Sequence, residues 1–341
     1  MRTLVISDLH LGGRVERDVL RRPAPLAALL EAIDGIDRLV LLGDVLELAE
    51  VRPPQAMAAS EPVLRAIGER LGARREVIVV PGNHDAILVR PWVRRHGERL
   101  TTDTQIPNDA TPLLAQLTGW LAPAAVRVHY PGVWLADGVW ATHGHYLDRH
   151  LLPESAYGIA RGALGRLPRD GATAAAYEQR RRPSVTWLEG ILGRSLPGPL
   201  ARRTAGMTGS LRARTMPVVE RRLVRKGFAP VTSRMLSAQM RRAAMPALAR
   251  VVHRLGIDAD WVIFGHVHRC GPLAADDPAQ WTGADERLRI LNTGSWVYEA
   301  RLVHRAAPPN PYWPGGAVLL EPGSEPRAVG LLDHLGPDEL S

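Results

Sequence analysis

The sequence predicts an α/β fold, and three observations carry that prediction. Short apolar runs, Thr3 to Ser7 (TLVIS), Asp37 to Leu42 (DRLVLL) and Glu76 to Val80 (EVIVV), alternate with stretches of helical character. Strand, helix, strand, helix, strand points to parallel pairing around an α/β core. Each run also ends in a polar cluster, and open α/β sheets bind their ligands outside the carboxyl ends of their strands.

Taken in order, Pro25 to Ile33 reads as a helix between the first two strands, and Glu61 to Leu71 as a helix before the third. From Val126 to Thr142 the texture changes to short apolar strands, Val126 to Tyr130, Val133 to Leu135 and Val139 to Thr142. Pro131-Gly132 and Asp137-Gly138 are the turn signals between them, so these read as hairpin strands. Leu151 to Gly256 has no strand pattern. It is rich in Ala, Leu, Arg and Met and is broken at Pro168, Pro183, Pro197, Pro199, Pro217 and Pro230, which reads as several helices inserted into the α/β domain. Strand texture returns at Trp261 to Phe264, Arg289 to Leu291, Ala317 to Leu320 and Ala328 to Leu331. The expected organisation is a core of residues 1–150 and 257–335, with 151–256 as a basic helical insert acting as a cap or lid.

Composition narrows the class. With 45% apolar and 23% charged residues over 341 positions, the chain can bury a sizeable core, which excludes wholesale disorder. No apolar run reaches the roughly 18 residues that span a bilayer. The first residues enter a strand without the pattern of a cleaved leader. Cys270 is the single cysteine, so no internal disulfide forms. Cytoplasm is the expected location, with peripheral contact to a membrane as the alternative. The net charge of +8 is unevenly placed: residues 151–250 hold 19 of the 43 Lys+Arg and 5 of the 35 Asp+Glu. All of the positive excess therefore lies in the insert.

Five polar clusters carry the chemistry. Asp8-Leu-His10, Gly43-Asp44, Gly82-Asn83-His84-Asp85, His143-Gly-His145 and Gly265-His266-Val-His268 each follow a short apolar segment and hold six of the twelve histidines. Imidazole nitrogen with carboxylate or amide oxygen suits divalent manganese, iron or zinc. Taken singly, Asp-x-His is weak, Gly-Asp is usually a turn, and Asn-His-Asp can cap a helix. Together, so many polar groups at buried strand ends would be costly without a shared partner. A carboxylate can bridge two ions, and Asp44 is the natural bridge. Such a pair can clamp the attacking and leaving oxygens of a phosphoryl displacement and turn a bridging water into a hydroxide nucleophile at neutral pH. His84 is placed to protonate the leaving oxygen, and Asp85 to orient His84 or a neighbouring backbone group.

In that order, these motifs resemble the calcineurin-like metallophosphoesterase superfamily, over Met1 to about His145 and Trp261 to about Leu331. The resemblance implies a four-layer α/β/β/α sandwich and a dinuclear centre. One metal would sit on Asp8, His10, Asp44 and His268, the other on Asp44, Asn83, His143 and His266, with His84 as the catalytic histidine. Asn292-Thr-Gly-Ser295 resembles the family's Asn-Pro-Gly-Ser turn with Thr in place of Pro. Asn292, His145, Arg221 and Arg222 are the expected substrate-binding residues, with a packing role as the alternative for His145. Glu47 stands where relatives often carry an acidic residue, and support of the site is its expected role. Asp8-Leu-His-Leu-Gly12 and Gly43-Asp-Val-Leu-Glu47 resemble the branch containing UDP-diacylglucosamine hydrolase. That enzyme has Asn-Arg-Asp where this chain has Asn83-His84-Asp85, so its substrate is not carried over.

The expected activity is hydrolysis of a small, nucleotide- or lipid-linked phosphoester with two divalent cations. A phosphoprotein phosphatase, a nuclease and a metal-binding scaffold without turnover are the alternatives. The insert's Arg-rich helices could grip an anionic substrate or rest on an anionic membrane surface. The plain alternative is a packed hairpin with a solvated basic face. Nucleic acid ranks behind these, because the insert offers only Tyr157, Tyr177, Trp187 and Phe228 for stacking on bases.

Overall fold

The structure, a computed structural model, describes residues 1–13, 17–150, 171–179, 243–283, 287–304 and 306–341. Most of segment 151–256, Arg221 and Arg222 included, lies outside the described residues.

The parallel core predicted from the apolar runs is present. Strands β1 (Thr3–Ile6), β2 (Arg38–Leu41) and β3 (Glu76–Val79) pair in parallel, each a run of Val, Ile and Leu buried on both faces. Parallel β5 (Ala125–Tyr130) and antiparallel β4 (Thr104–Ile106) extend one side, and antiparallel β10 (Gly316–Leu320) and β11 (Arg327–Gly330) the other. The order is β11-β10-β1-β2-β3-β5-β4. A second sheet runs β6 (Gly132–Ala136), β7 (Val139–Thr142), β8 (Trp261–Phe264), β9 (Arg289–Asn292), with β7, β8 and β9 parallel. The hairpin reading of Val126 to Thr142 holds only for β6 and β7. At Tyr130-Pro131-Gly132 the chain leaves the first sheet, and β5 pairs in parallel with β3. A Cβ at Gly132 would lie 2.5 Å from Trp140, so only glycine makes that corner.

Because side chains alternate along a strand, each sheet serves two cores. Val5, Val40, Leu42, Ile78 and Val80 of the larger sheet meet Val133, Val139, Ala141, Ile263 and Leu291 of the smaller in an apolar seam. The alternate residues Ile6, Leu39, Leu41 and Val79 share a second cluster with helix α1 (Pro23–Asp34), helix α2 (Pro53–Leu71) and Leu114 and Leu117 of helix α4, Pro112–Trp120, which follows the short helix α3, Arg90–His96. Trp140, Val262 and Phe264, on the far side of the smaller sheet, join Ala244, Leu248 and Val251 of helix 243–254. The result is two sheets face to face with helices outside. At about 1.5–3 kcal/mol for each fully buried Val, Leu, Ile or Phe, the two clusters are what set this arrangement.

Helix α2 starts well before Glu61, at Pro53. Prolines at 53 and 54 fall in the first turn, where a backbone N–H has no partner to lose. Its buried Ala56, Met57, Ser60, Val63, Leu64, Ile67 and Leu71 follow a helical period. Among the described residues, no helix is long and apolar enough to cross a membrane.

Candidate metal centre

The five polar clusters come together because five strands, β1, β2 and β3 of one sheet and β7 and β8 of the other, end on the same side. Hydrogen bonds stitch the strand-end loops: Asp8 N to Gly43 O at 3.0 Å, His10 N to Asp44 O at 2.9 Å and Gly265 N to His143 O at 3.1 Å. Within this rim, Asp8, His10, Asp44, His266 and His268 are the five non-glycine residues with positive φ, between 45° and 67°. Such backbone costs of the order of 1–3 kcal/mol at each residue and clusters where function needs it.

The glycines of the motifs have a steric reason. A Cβ at Gly43 would stand 2.3 Å from His143 Nδ1, one at Gly82 2.3 Å from Asp44 Oδ1, and one at Gly265 2.4 Å from Asp8 Oδ2. In each case the glycine before one candidate ligand makes room for another.

The donors converge as follows. His268 Nε2 lies 3.1 Å from Asp8 Oδ1 and 3.1 Å from His10 Nε2, and His10 Nε2 lies 3.9 Å from both Asp8 Oδ1 and Asp44 Oδ2. On the other side, His143 Nε2 lies 3.2 Å from Asp44 Oδ2 and 3.1 Å from Asn83 Oδ1. Three groups could each hold an ion, with donor atoms within 4.8 Å of one another: Asp8, His10 and His268; His10, Asp44 and His84; and Asp44, His143 and His266. Asp44 and His10 each belong to two of the three.

Supporting contacts fix the rings. Glu47 accepts from His10 Nδ1 at 2.9 Å and from His84 Nδ1 at 2.8 Å through each of its oxygens. His143 Nδ1 donates to Leu42 O at 3.0 Å. Asp44 Oδ1 accepts from His84 N at 2.8 Å. Asp85 is fully buried and accepts from Gly82 N at 2.6 Å and Val45 N at 2.8 Å. It therefore braces the loops behind Asp44, in keeping with the backbone role the sequence allowed it.

Electrostatics favour cations. Burial is the largest influence on each group and disfavours its charged form, yet opposite charges reverse it. His268 and His143 hold Asp8 down to about 2, and His143 and His84 hold Asp44 well below the usual carboxylate range. The imidazoles respond in kind: Asp44 and Glu47 raise His84 to about 10, and Asp44 with Asp8 raises His143 to about 9. Asp85, by contrast, is pushed up to about 6 by burial and by Asp44. The field that holds protons on these rings is one that attracts a divalent ion.

The donor set fits such an ion. Asp8 Oδ1 is buried and makes no well-formed hydrogen bond, its close polar neighbours being His268 Nε2 at 3.1 Å and His10 Nε2 at 3.9 Å, themselves candidate ligands. Carboxylate, imidazole and the Asn83 amide oxygen are ordinary ligands for manganese, iron or zinc.

The remaining sequence expectations fare differently. His145 is buried beside the His143 ring, with centroids 5.6 Å apart, and its Nε2 is 3.3 Å from the Tyr130 hydroxyl. Asn292 is fully buried and spends its amide on Gly265 O at 2.7 Å and Gly294 N at 2.9 Å. That ties β9 to the loop carrying His266. Sequence reasoning missed Asp148, buried and 3.0 Å from His266 Nε2.

A family model described as calcineurin-like phosphoesterase matches residues 1–162. The matched stretch holds Asp8, His10, Asp44, Asn83, His84 and His143, while His266 and His268 reach the same rim from beyond it. No curated protein matches the chain.

Proposed function

We propose that this chain, calcineurin-like over its first 162 residues, is a two-cation phosphoester hydrolase acting on a small, nucleotide- or lipid-linked phosphoester. The observation that carries the reading is the rim itself. Carboxylate, amide and imidazole donors from two sheets converge on Asp44, with the His84–Glu47 pair at their side.

One cation would be held by Asp8, His10, Asp44 and His268, the other by Asp44, Asn83, His143 and His266. Manganese, iron and zinc all suit these donors. When bound, the pair supplies Lewis acidity, neutralising phosphoryl oxygens and acidifying water. The protein's own part is positional and protonic. Glu47 accepts a hydrogen bond from Nδ1–H of His84 and favours the protonated ring, so Nε2–H is the group available to donate to the departing oxygen. Positive-φ backbone at Asp8, His10 and Asp44 sets the ligands in place before substrate arrives, which removes reorganisation from the reaction step.

We assign segment 151–256 to a lid. It occupies the connection between parallel strands β7 and β8, and that connection leaves β7 at His143, on the rim. Its excess of arginine suits a substrate with anionic groups, Arg221 and Arg222 among the contacts. An anionic membrane surface is the other partner this charge would suit.

The test is hydrolysis of aryl phosphodiesters and monoesters, nucleotides, phospholipids, phosphopeptides and DNA with added Mn2+. His84→Ala should lower kcat by about 10²–10⁴-fold, the usual contribution of a positioned acid, with cation uptake kept. Full activity in that variant removes His84 from the reaction. Silence of the wild type on every phosphoester leaves a metal-binding scaffold, and preference for phosphopeptides or DNA selects a phosphatase or nuclease.

A further inference from the structure

We propose that Asp148 is a positioning residue for the second cation, acting through His266, and that the insert helix at Ala174–Gln179 holds it in place. This rests on the two-cation reading above.

A neutral imidazole has one N–H and one lone pair, so a ligand histidine needs a hydrogen-bond acceptor for the nitrogen that does not meet the metal. His10 gives Nδ1 to Glu47 at 2.9 Å and His143 gives Nδ1 to Leu42 O at 3.0 Å, so both would bind through Nε2. His266 is the reverse case. Its Nε2 faces Asp148 Oδ1 at 3.0 Å, which leaves Nδ1 as the lone pair for the Asp44–His143–His266 group. A carboxylate on the far nitrogen makes the ring a stronger donor and fixes its rotation. The backbone at His266 is already set, with φ at 67° and its N–H on Asp8 Oδ2 at 2.9 Å. Ring rotation is the freedom left, and Asp148 removes it.

Asp148 lies in a short 3-10 turn, His145–Arg149, directly after His143-Gly144. Gly144 has φ of 103°, and a Cβ there would meet Phe264 at 2.9 Å. The turn is gripped from the opposite side by the insert helix. Tyr146 stacks on Tyr177 with centroids 4.6 Å apart, and its hydroxyl donates to Glu178 at 2.8 Å. Arg149 donates to Ala176 O at 3.1 Å, and His150 Nε2 meets the Tyr177 hydroxyl at 2.7 Å. Insert and second cation site therefore share one rigid turn.

The experiment is equilibrium binding of Mn2+ to the full chain, with visible absorption of the Co2+-loaded protein and melting without cations as companion readouts. Asp148→Ala should weaken the second cation by about 10–100-fold, the usual effect of removing such a partner. The first cation should bind unchanged, and the Co2+ bands assigned to the second site should shift. Asp148→Asn, which keeps an acceptor oxygen without charge, should fall between, and Asp148→Glu should recover part of the affinity. Tyr177→Phe should give a smaller loss of the same kind. If Asp148→Ala melts far below the wild type, Asp148→Asn carries the comparison. Two equally tight cations in wild type, Asp148→Ala and Asp148→Asn would overturn this proposal alone. A wild type that takes up no Mn2+ would overturn the two-cation reading with it.

Discussion

The seam between the sheets and the rim at their ends are built by the same strands under opposite rules. Along the seam, Val5, Val40, Ile78, Ala141 and Ile263 carry no polar atom on their side chains and no strain. A few residues further on, Asp8, Asp44 and His266 bury charge-bearing groups on left-handed backbone. The seam lowers the free energy of the fold, and the left-handed backbone of the rim raises it. The rim persists because the strands entering it are held by apolar packing on both faces. Ligands placed on such ends are fixed before any cation arrives, which loops alone would not achieve.

The comparison breaks if rim and seam variants behave alike. The largest separation is expected from Asp44→Asn. Losing the shared carboxylate should cost at least about 10³-fold in cation-dependent turnover, the scale of removing a central electrostatic group from an active site. Melting without cations at pH 7 should fall, because Asn leaves the buried His84 and His143 charges without the carboxylate that offsets them. A loss of turnover no larger than the loss of folded protein would make Asp44 a structural residue like its neighbours in the seam. Next comes Ile263→Ala, whose cavity between the sheets should cost about 2–5 kcal/mol in urea titration. The protein that remains folded should bind Mn2+ normally, and lost cation affinity would show the two regions are one unit.

A smaller effect is expected at His268, which holds φ at 56°. Both His268→Ala and His268→Gly should lose the first cation and some cation-free stability, because the buried Asp8 carboxylate loses a partner at 3.1 Å. Glycine tolerates the left-handed turn, so His268→Gly should be at least as stable as His268→Ala, whereas on ordinary backbone it would be less stable by about 0.4–1 kcal/mol. A His268→Gly protein clearly less stable than His268→Ala would mean that the turn carries no strain. The smallest effect is a probe of opening. Burial, then the Asp333 charge, pushes the Cys270 thiol up to about 12. At pH 8 its thiolate is scarce and enclosed, so alkylation should track local opening and hardly change with cations. Rapid labelling of native protein would place Cys270 outside the core.

The strands and the donors were legible because each donor follows an apolar run, and the end of a parallel strand is where such a residue can reach a common rim. The supporting contacts were less so. Asp148 follows His143 at a spacing with no motif, and only the 3-10 turn and the crossover to β8 bring it to His266. Asp85 reads as orienting either His84 or a neighbouring backbone group, and adjacency alone does not say that its oxygens go to backbone N–H groups of two loops. Asn292 resembles a substrate-facing turn, but it is fully buried and holds Gly265 and Gly294 together. The change of sheet after β5 was hidden because Pro131-Gly132 signals a turn without saying which strand lies on its far side.

Anomalous scattering from Mn2+-soaked crystals tests the centre most directly. The account predicts two peaks per chain, roughly 3.5–4 Å apart as in other two-metal sites, on either side of the Asp44 carboxylate, with His268 beside one and His143 beside the other. Crystals that bind no manganese at this rim, or a lone ion that leaves Asp44 uncoordinated, would contradict it.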